Sequence, residues 1–176
     1  MRIAPDFADM KTTNAQIEKV HDLLKGFSTA MLITHDAGGP LHARPMAIAD
    51  LTNPCDLWFI TSDDSGKAHE IGRDTRVHIV CQRDHSVYLS IAGSASVQHD
   101  LSRIDEVWKE PFRVWFPGGK TDPHLALIRV IPDRAEYWDN QGFNKVSYLW
   151  EAAIAYVSGE TPRVEEGDRH GVVDLA

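Results

Sequence analysis

The chain runs to 176 residues, the size of one domain and enough to bury a core. Its 43% hydrophobic and 25% charged content is ordinary for a soluble globular protein, and no apolar run reads as a membrane span or, over residues 1–12, as a signal peptide. A formal net charge of −8 argues against a general nucleic-acid surface, though not against one phosphate, which needs only a few local donors.

A cytoplasmic protein is expected. Cys55 and Cys81 support this, since both lie in apolar stretches with no CxxC spacing. After an N-terminal tail over 1–12, Thr13 and Gln16 have capping-box spacing, and Ile17, Val20, Leu24 and Phe27 recur at helical intervals. The period then changes. Residues 28–35 and 41–49 flank a turn-rich connector at 36–40 and read as a hairpin. Strands are predicted at 56–62, 76–82 and 86–97, with a short helix over 65–73. In the 86–97 segment Val87, Leu89 and Ile91 alternate with Tyr88 and Ser90, as one buried face requires. One or two helices interrupted by Pro111 occupy 100–116. Strands at 125–131 and 134–138 follow, separated by a Pro132-Asp133 turn. Leu149, Trp150, Ala153, Ile154 and Val157 suggest a late helix, with a strand as rival, and 158–176 reads as a polar tail. About six strands with helices inserted make the domain, 13–157, an antiparallel barrel or α+β fold rather than a doubly wound sheet.

The segment richest in chemistry is 57–71, LWFITSDDSGKAHEI. An apolar strand ends on Thr61 and Ser62, and a helix opens with Ser65, Gly66 and Lys67. Unpaired N–H groups at a helix start favour an anion, and Lys67 adds a full charge. Ser, Thr and Asp are also ordinary helix caps, and Asp63 and Asp64 would repel a phosphate unless turned away. Both readings stand at this point. Gly119-Lys120-Thr121 ends like a P-loop, but Val114 occupies the place of the first glycine and no helix pattern follows. No GxGxxG follows a strand, no GxSxG elbow exists, and the nine histidines show no ligand spacing, so no metal site is expected.

In order along the chain, several segments resemble the FMN-binding split-barrel family of pyridoxine/pyridoxamine 5′-phosphate oxidase. They are Arg44-Pro45-Met46 on the second strand, Thr61-Ser62 with Ser65-Gly66-Lys67, and Ile128-Arg129-Val130 with Ala135-Glu136-Tyr137-Trp138. The matches span about residues 15–150. Trp115-Phe116-Pro117-Gly118-Gly119 with Asp122-Pro123, and the Arg-Pro-Met run, look more like the general stress protein branch. The resemblance implies a mainly β, α+β fold, a split β-barrel with flanking helices. It implies FMN, with FAD as the alternative, bound through Lys67, Arg44, Thr61, Ser62 and Ser65 at the phosphate. The ring would pass over Pro45-Met46, with Trp138 as an aromatic wall. Family members hold the flavin between two subunits, so a homodimer is implied, with Trp115 or Lys120 contributed by the partner chain.

The departures are as informative. Ala49 stands where the oxidase has a second basic residue. Asn144 and Val146 stand where it has the Arg-x-His pair that grips substrate, and Ser147 replaces a further arginine. Arg169 and His170 in the tail do not restore that spacing. The resemblance therefore implies a flavoprotein of oxidoreductase type, serving in stress defence. A non-catalytic flavin-buffering protein is the alternative, and the vitamin phosphate oxidase is disfavoured.

Overall fold

The computed structural model describes residues 12–36, 38–52, 54–140 and 169–176. The first helix, α1 (Asn14–Lys25), opens on the expected capping box. Thr13 Oγ1 accepts from the Gln16 N–H at 3.3 Å, and Gln16 Oε1 accepts from the Thr13 N–H at 2.8 Å. Its apolar stripe buries Val20, Leu23 and Leu24 against a sheet, and Gly26 closes it by donating to the Leu23 and Leu24 carbonyls.

The strands are β1 (Thr29–His35), β2 (Leu41–Ala47), β3 (Asp50–Thr52), β4 (Asp56–Ser62), β5 (Arg76–Arg83), β6 (Val87–Gln98), β7 (Leu125–Asp139) and β8 (His170–Asp174). Among the described residues they form one eight-stranded sheet in the order β2-β1-β5-β6-β7-β4-β3, with β8 pairing β7. Every described neighbour pair is antiparallel. Helix α2 (Gly66–Arg73) joins β4 to β5, and α3 (Leu101–Val107) follows β6. This is a split β-barrel with flanking helices, the expected class. Among the described residues no helix is long and apolar enough to cross a membrane.

The β1–β2 hairpin turns at Gly38, whose φ of +75° suits glycine. The β5–β6 hairpin turns through Asp84 and His85, both left-handed, which is the backbone twist that tight hairpins favour.

Three features differ from the sequence expectation. The Pro132-Asp133 turn does not exist: β7 is one strand from Leu125 to Asp139. The ladder with β6 shifts between Ala92 and Gly93, so a bulge rather than a turn absorbs the proline, which has no N–H to donate. A Cβ on Gly93 would lie 2.4 Å from the Ile131 carbonyl oxygen, so the close approach at the bulge requires glycine. Second, Asp50–Thr52 adds a three-residue strand, β3, that pairs with β4. Third, residues 170–174, within the stretch read as a polar tail, form β8 along the second half of β7 and bury Val173 completely. The helix suggested around 149–157 lies outside the described residues, as do Asn144, Val146 and Ser147.

Among the described residues two apolar clusters hold the sheet. The larger joins α1 to Leu32, Ile79, Leu89, Ile91 and Val130, and the smaller packs Ile104, Val107 and Phe116 on Trp58, Ile60 and Leu127. Strand β4 serves both: Leu57 and Phe59 face the first, Trp58 and Ile60 the second.

Candidate functional site

The β4–α2 junction is where the chain gathers its hydroxyls. Thr61 is buried at the end of β4, and its Oγ1 lies 3.1 Å from Ser65 Oγ. Ser65 caps α2 by accepting from the Ala68 N–H at 3.3 Å, and Ser62 donates to the Asp64 carboxylate. The capping role is therefore met in the structure. With the Ala68 N–H so satisfied, the Gly66 and Lys67 N–H groups are the ones left without a helical acceptor, as at any helix start.

Lys67 sits in that first turn. It is half-buried, and among the described residues it makes no hydrogen bond or ion pair. Burial holds its ammonium below the ordinary lysine value, and the Arg44 charge pushes the same way against the opposing pull of Glu70. Two cations are thus close neighbours at the helix start.

Arg44, on β2 opposite Leu32, is engaged by a partner that the sequence analysis did not single out. Glu70, one turn beyond Lys67 on α2, is buried, with 7% of its surface exposed. Its carboxylate accepts from Arg44 Nη1 and Nη2 at 3.0 Å each, from His42 Nδ1 at 2.6 Å, and from the fully buried Thr34 hydroxyl. Arg44 Nη1 also donates to Thr34 Oγ1 at 2.7 Å. Burial alone would raise the Glu70 carboxyl, but the bonds from Arg44, Thr34 and His42 outweigh it and hold the group down at about 2. One signal was available: His42 and Arg44 share a face of β2, and the i,i+3 spacing puts Glu70 beside Lys67.

Pro45 points outward and Met46 packs on the larger core, both on β2, which ends the sheet order and leaves one backbone edge without a described partner. The other expected residues lie elsewhere in the chain. Trp138 belongs to the far end of β7, a dozen residues beyond Ala126, the strand partner of Thr61, or roughly 40 Å of extended backbone. It stacks on the His170 ring with centroids 5.3 Å apart. Trp115 is 78% exposed after a 3-10 turn at Glu110–Val114. Lys120 pairs with Asp105 at 2.8 Å. A single chain therefore brings together Thr61, Ser62, Ser65, Lys67 and the neighbouring Arg44, and leaves Trp138 apart.

The two aspartates of the junction are also accounted for. Asp63 Oδ1 lies 3.1 Å from His124 Nδ1, and Oδ2 lies 3.1 Å from His99 Nε2. Hydrogen bonds from these two histidines hold the Asp63 carboxyl below its usual range.

Comparison with known proteins agrees with this architecture. The sequence profile described as pyridoxamine 5′-phosphate oxidase like matches residues 15–163. No curated protein matches the chain. Among solved structures, the general stress FMN/FAD binding protein of Xanthomonas citri is 33% identical, covering 75% of this chain and 94% of its own, with a TM-score of 0.64. A candidate general stress protein 26 of Jannaschia sp. CCS1 is 23% identical over 92% of this chain and 99% of its own, at a TM-score of 0.67. General stress protein 26 of Bacillus anthracis is 24% identical over 69% and 92%, at 0.62. The chain belongs to the pyridoxamine 5′-phosphate oxidase-like family, in its general stress protein branch.

Proposed function

We propose that this chain binds flavin mononucleotide, with the phosphate at the β4–α2 junction and the ring over the exposed edge of β2 at Pro45 and Met46. The observation that carries the reading is Lys67, a half-buried cation with which no described residue forms a hydrogen bond or ion pair. Glu70 attracts the ammonium only from beyond ion-pair distance and is itself bonded to Arg44, and a half-buried ammonium with no contact partner is costly unless an anion meets it. The surrounding groups fit a phosphate. Thr61 and Ser65 supply hydroxyls, Ser62 can join them by turning from Asp64, α2 supplies first-turn N–H groups, and Glu70 fixes the Arg44 guanidinium beside Lys67. Glu70 and Thr34 occupy the Nη groups, and no described residue accepts from Arg44 Nε. The description of the Xanthomonas citri relative as FMN/FAD binding supports the cofactor class, and FAD is the competing ligand.

When bound, the flavin supplies the redox chemistry, and the protein supplies position and charge. The protein is then an oxidoreductase-type flavoprotein of stress defence. It acts as a homodimer in which Trp138, Trp115 or Lys120 reaches the flavin of the partner chain. The exposure of Leu101, Val114 and Trp115 supports an apolar contact of this kind.

Titration of flavin-free protein with FMN, followed by quenching of flavin fluorescence, tests the site. Lys67→Ala should weaken binding by ~1.5–3 kcal/mol, roughly tenfold to over a hundredfold. Riboflavin, which lacks the phosphate, should bind both proteins alike. Equal FMN affinity in the two proteins would place the phosphate elsewhere.

A further inference from the structure

Three strand ends meet on one side of the β4–α2 junction. Asp63 and Asp64 follow β4, His99 follows β6, and His124 precedes β7. Because β6, β7 and β4 are sheet neighbours, residues far apart in sequence arrive side by side. The backbone fixes their spacing: the Asp63 N–H donates to the His124 carbonyl at 2.9 Å, extending the β4–β7 ladder by one bond. A carboxylate oxygen of Asp63, one of Asp64 and a ring nitrogen of His124 all lie within 4.8 Å of one another.

We propose that Asp63, Asp64 and His124 form a site for a borderline divalent cation of the zinc type, with His99 as the residue that positions Asp63. The donor set mixes an imidazole with two carboxylates, which suits such ions better than calcium or magnesium. Two ligands bonded to one ion at about 2.0–2.2 Å sit on the order of 3–4 Å apart. His124 Nδ1 and Asp63 Oδ1 are already 3.1 Å apart, and the Asp64 oxygen lies within 4.8 Å of both, so rotation of the exposed Asp64 and His124 side chains closes the set. The orienting contacts are in place as well. His99 Nε2 holds the other oxygen of Asp63 at 3.1 Å, and Ser62 donates to Asp64. Three protein ligands leave an open coordination position. A bound dication would also balance the charge of the two carboxylates that flank the strand-end hydroxyls.

The test uses the full chain, stripped of metal with a chelator and titrated with zinc chloride against a chromophoric competitor. Wild type should take up one ion per chain with micromolar or tighter affinity. Asp63→Asn, which keeps the side-chain shape, and His124→Ala should each weaken uptake at least about tenfold, and His99→Gln roughly tenfold. His21→Ala, whose ring contacts the Pro54 carbonyl instead, should leave it unchanged. Circular dichroism establishes that each variant is folded. Absence of stoichiometric uptake by wild type, or uptake that survives both Asp63→Asn and His124→Ala, would overturn the proposal.

Discussion

Replacing Glu70 with glutamine probes the buried network beneath the candidate site. The carboxyl is held at about 2, against an ordinary 4.5. At about 1.4 kcal/mol per unit this depression corresponds to about 3 kcal/mol of native-state stabilisation at neutral pH. Arg44 and His42 keep 28% and 43% of their side-chain surfaces exposed, so water screening trims the expected loss in Glu70→Gln to about 2 kcal/mol. The pH dependence has a definite sign. Because the folded value lies below the unfolded one, the stabilisation is complete above about pH 5 and disappears as pH falls toward about 2. Near pH 3.5 about 1.4 kcal/mol of it should be gone in wild type, while the glutamine variant has no such group to titrate. Urea unfolding of both proteins near pH 7 and near pH 3.5 measures the gap at each. A gap below about 0.5 kcal/mol at neutral pH, or one that does not narrow in acid, would refute the account of Glu70 as an ionised hub.

Gly93→Ala should cost about 2 kcal/mol or more and lower the melting temperature by several degrees, because the new methyl meets the Ile131 carbonyl at 2.4 Å and Pro132 Cα at 3.0 Å. A melting curve unchanged from wild type would mean the bulge yields freely. Burial pushes the thiols of Cys55 and Cys81 up to about 11 and about 12, so neither should react with a thiol reagent in native protein near pH 8, and both should react in urea. Fast native labelling would contradict that. Light scattering of the flavin-loaded protein should give twice the 19.7 kDa chain mass, and a monomer with flavin bound would sink the shared-site proposal.

Local chemistry made much of the fold legible. The Thr13–Gln16 box, the alternation through Val87, Leu89 and Ile91, and the hydroxyl–glycine–lysine helix start are each written within a dozen residues, and each appears in the structure. What escaped depends on residues distant in sequence. Pro132-Asp133 has the composition of a turn, and only Gly93 on the neighbouring strand converts it into a bulge. The His170–Asp174 segment carries two valines, of which only Val173 is fully buried, and becomes a strand because β7 offers it an edge. Arg44 looks like a free phosphate ligand until α2 folds Glu70 against it. The histidines show no ligand spacing because His99 and His124 meet Asp63 from different strand ends.

The two-sided burial of β4 has a consequence for folding. A strand with one wet face is kept in register by its pattern, since a one-residue slip turns greasy side chains outward. For β4 the same slip merely exchanges one apolar contact surface for another, so hydrophobicity alone offers little proofreading. Alignment must be checked by its polar ends. Near one end the buried Asp56 accepts from Arg129 of β7 at 2.6 and 2.8 Å. Just beyond the other, the Asp63–His124 backbone bond closes the ladder. A slipped chain would leave the Asp56 carboxylate buried without its cation. That penalty is what makes the correct pairing of β4 and β7 distinguishable from its nearest competitor.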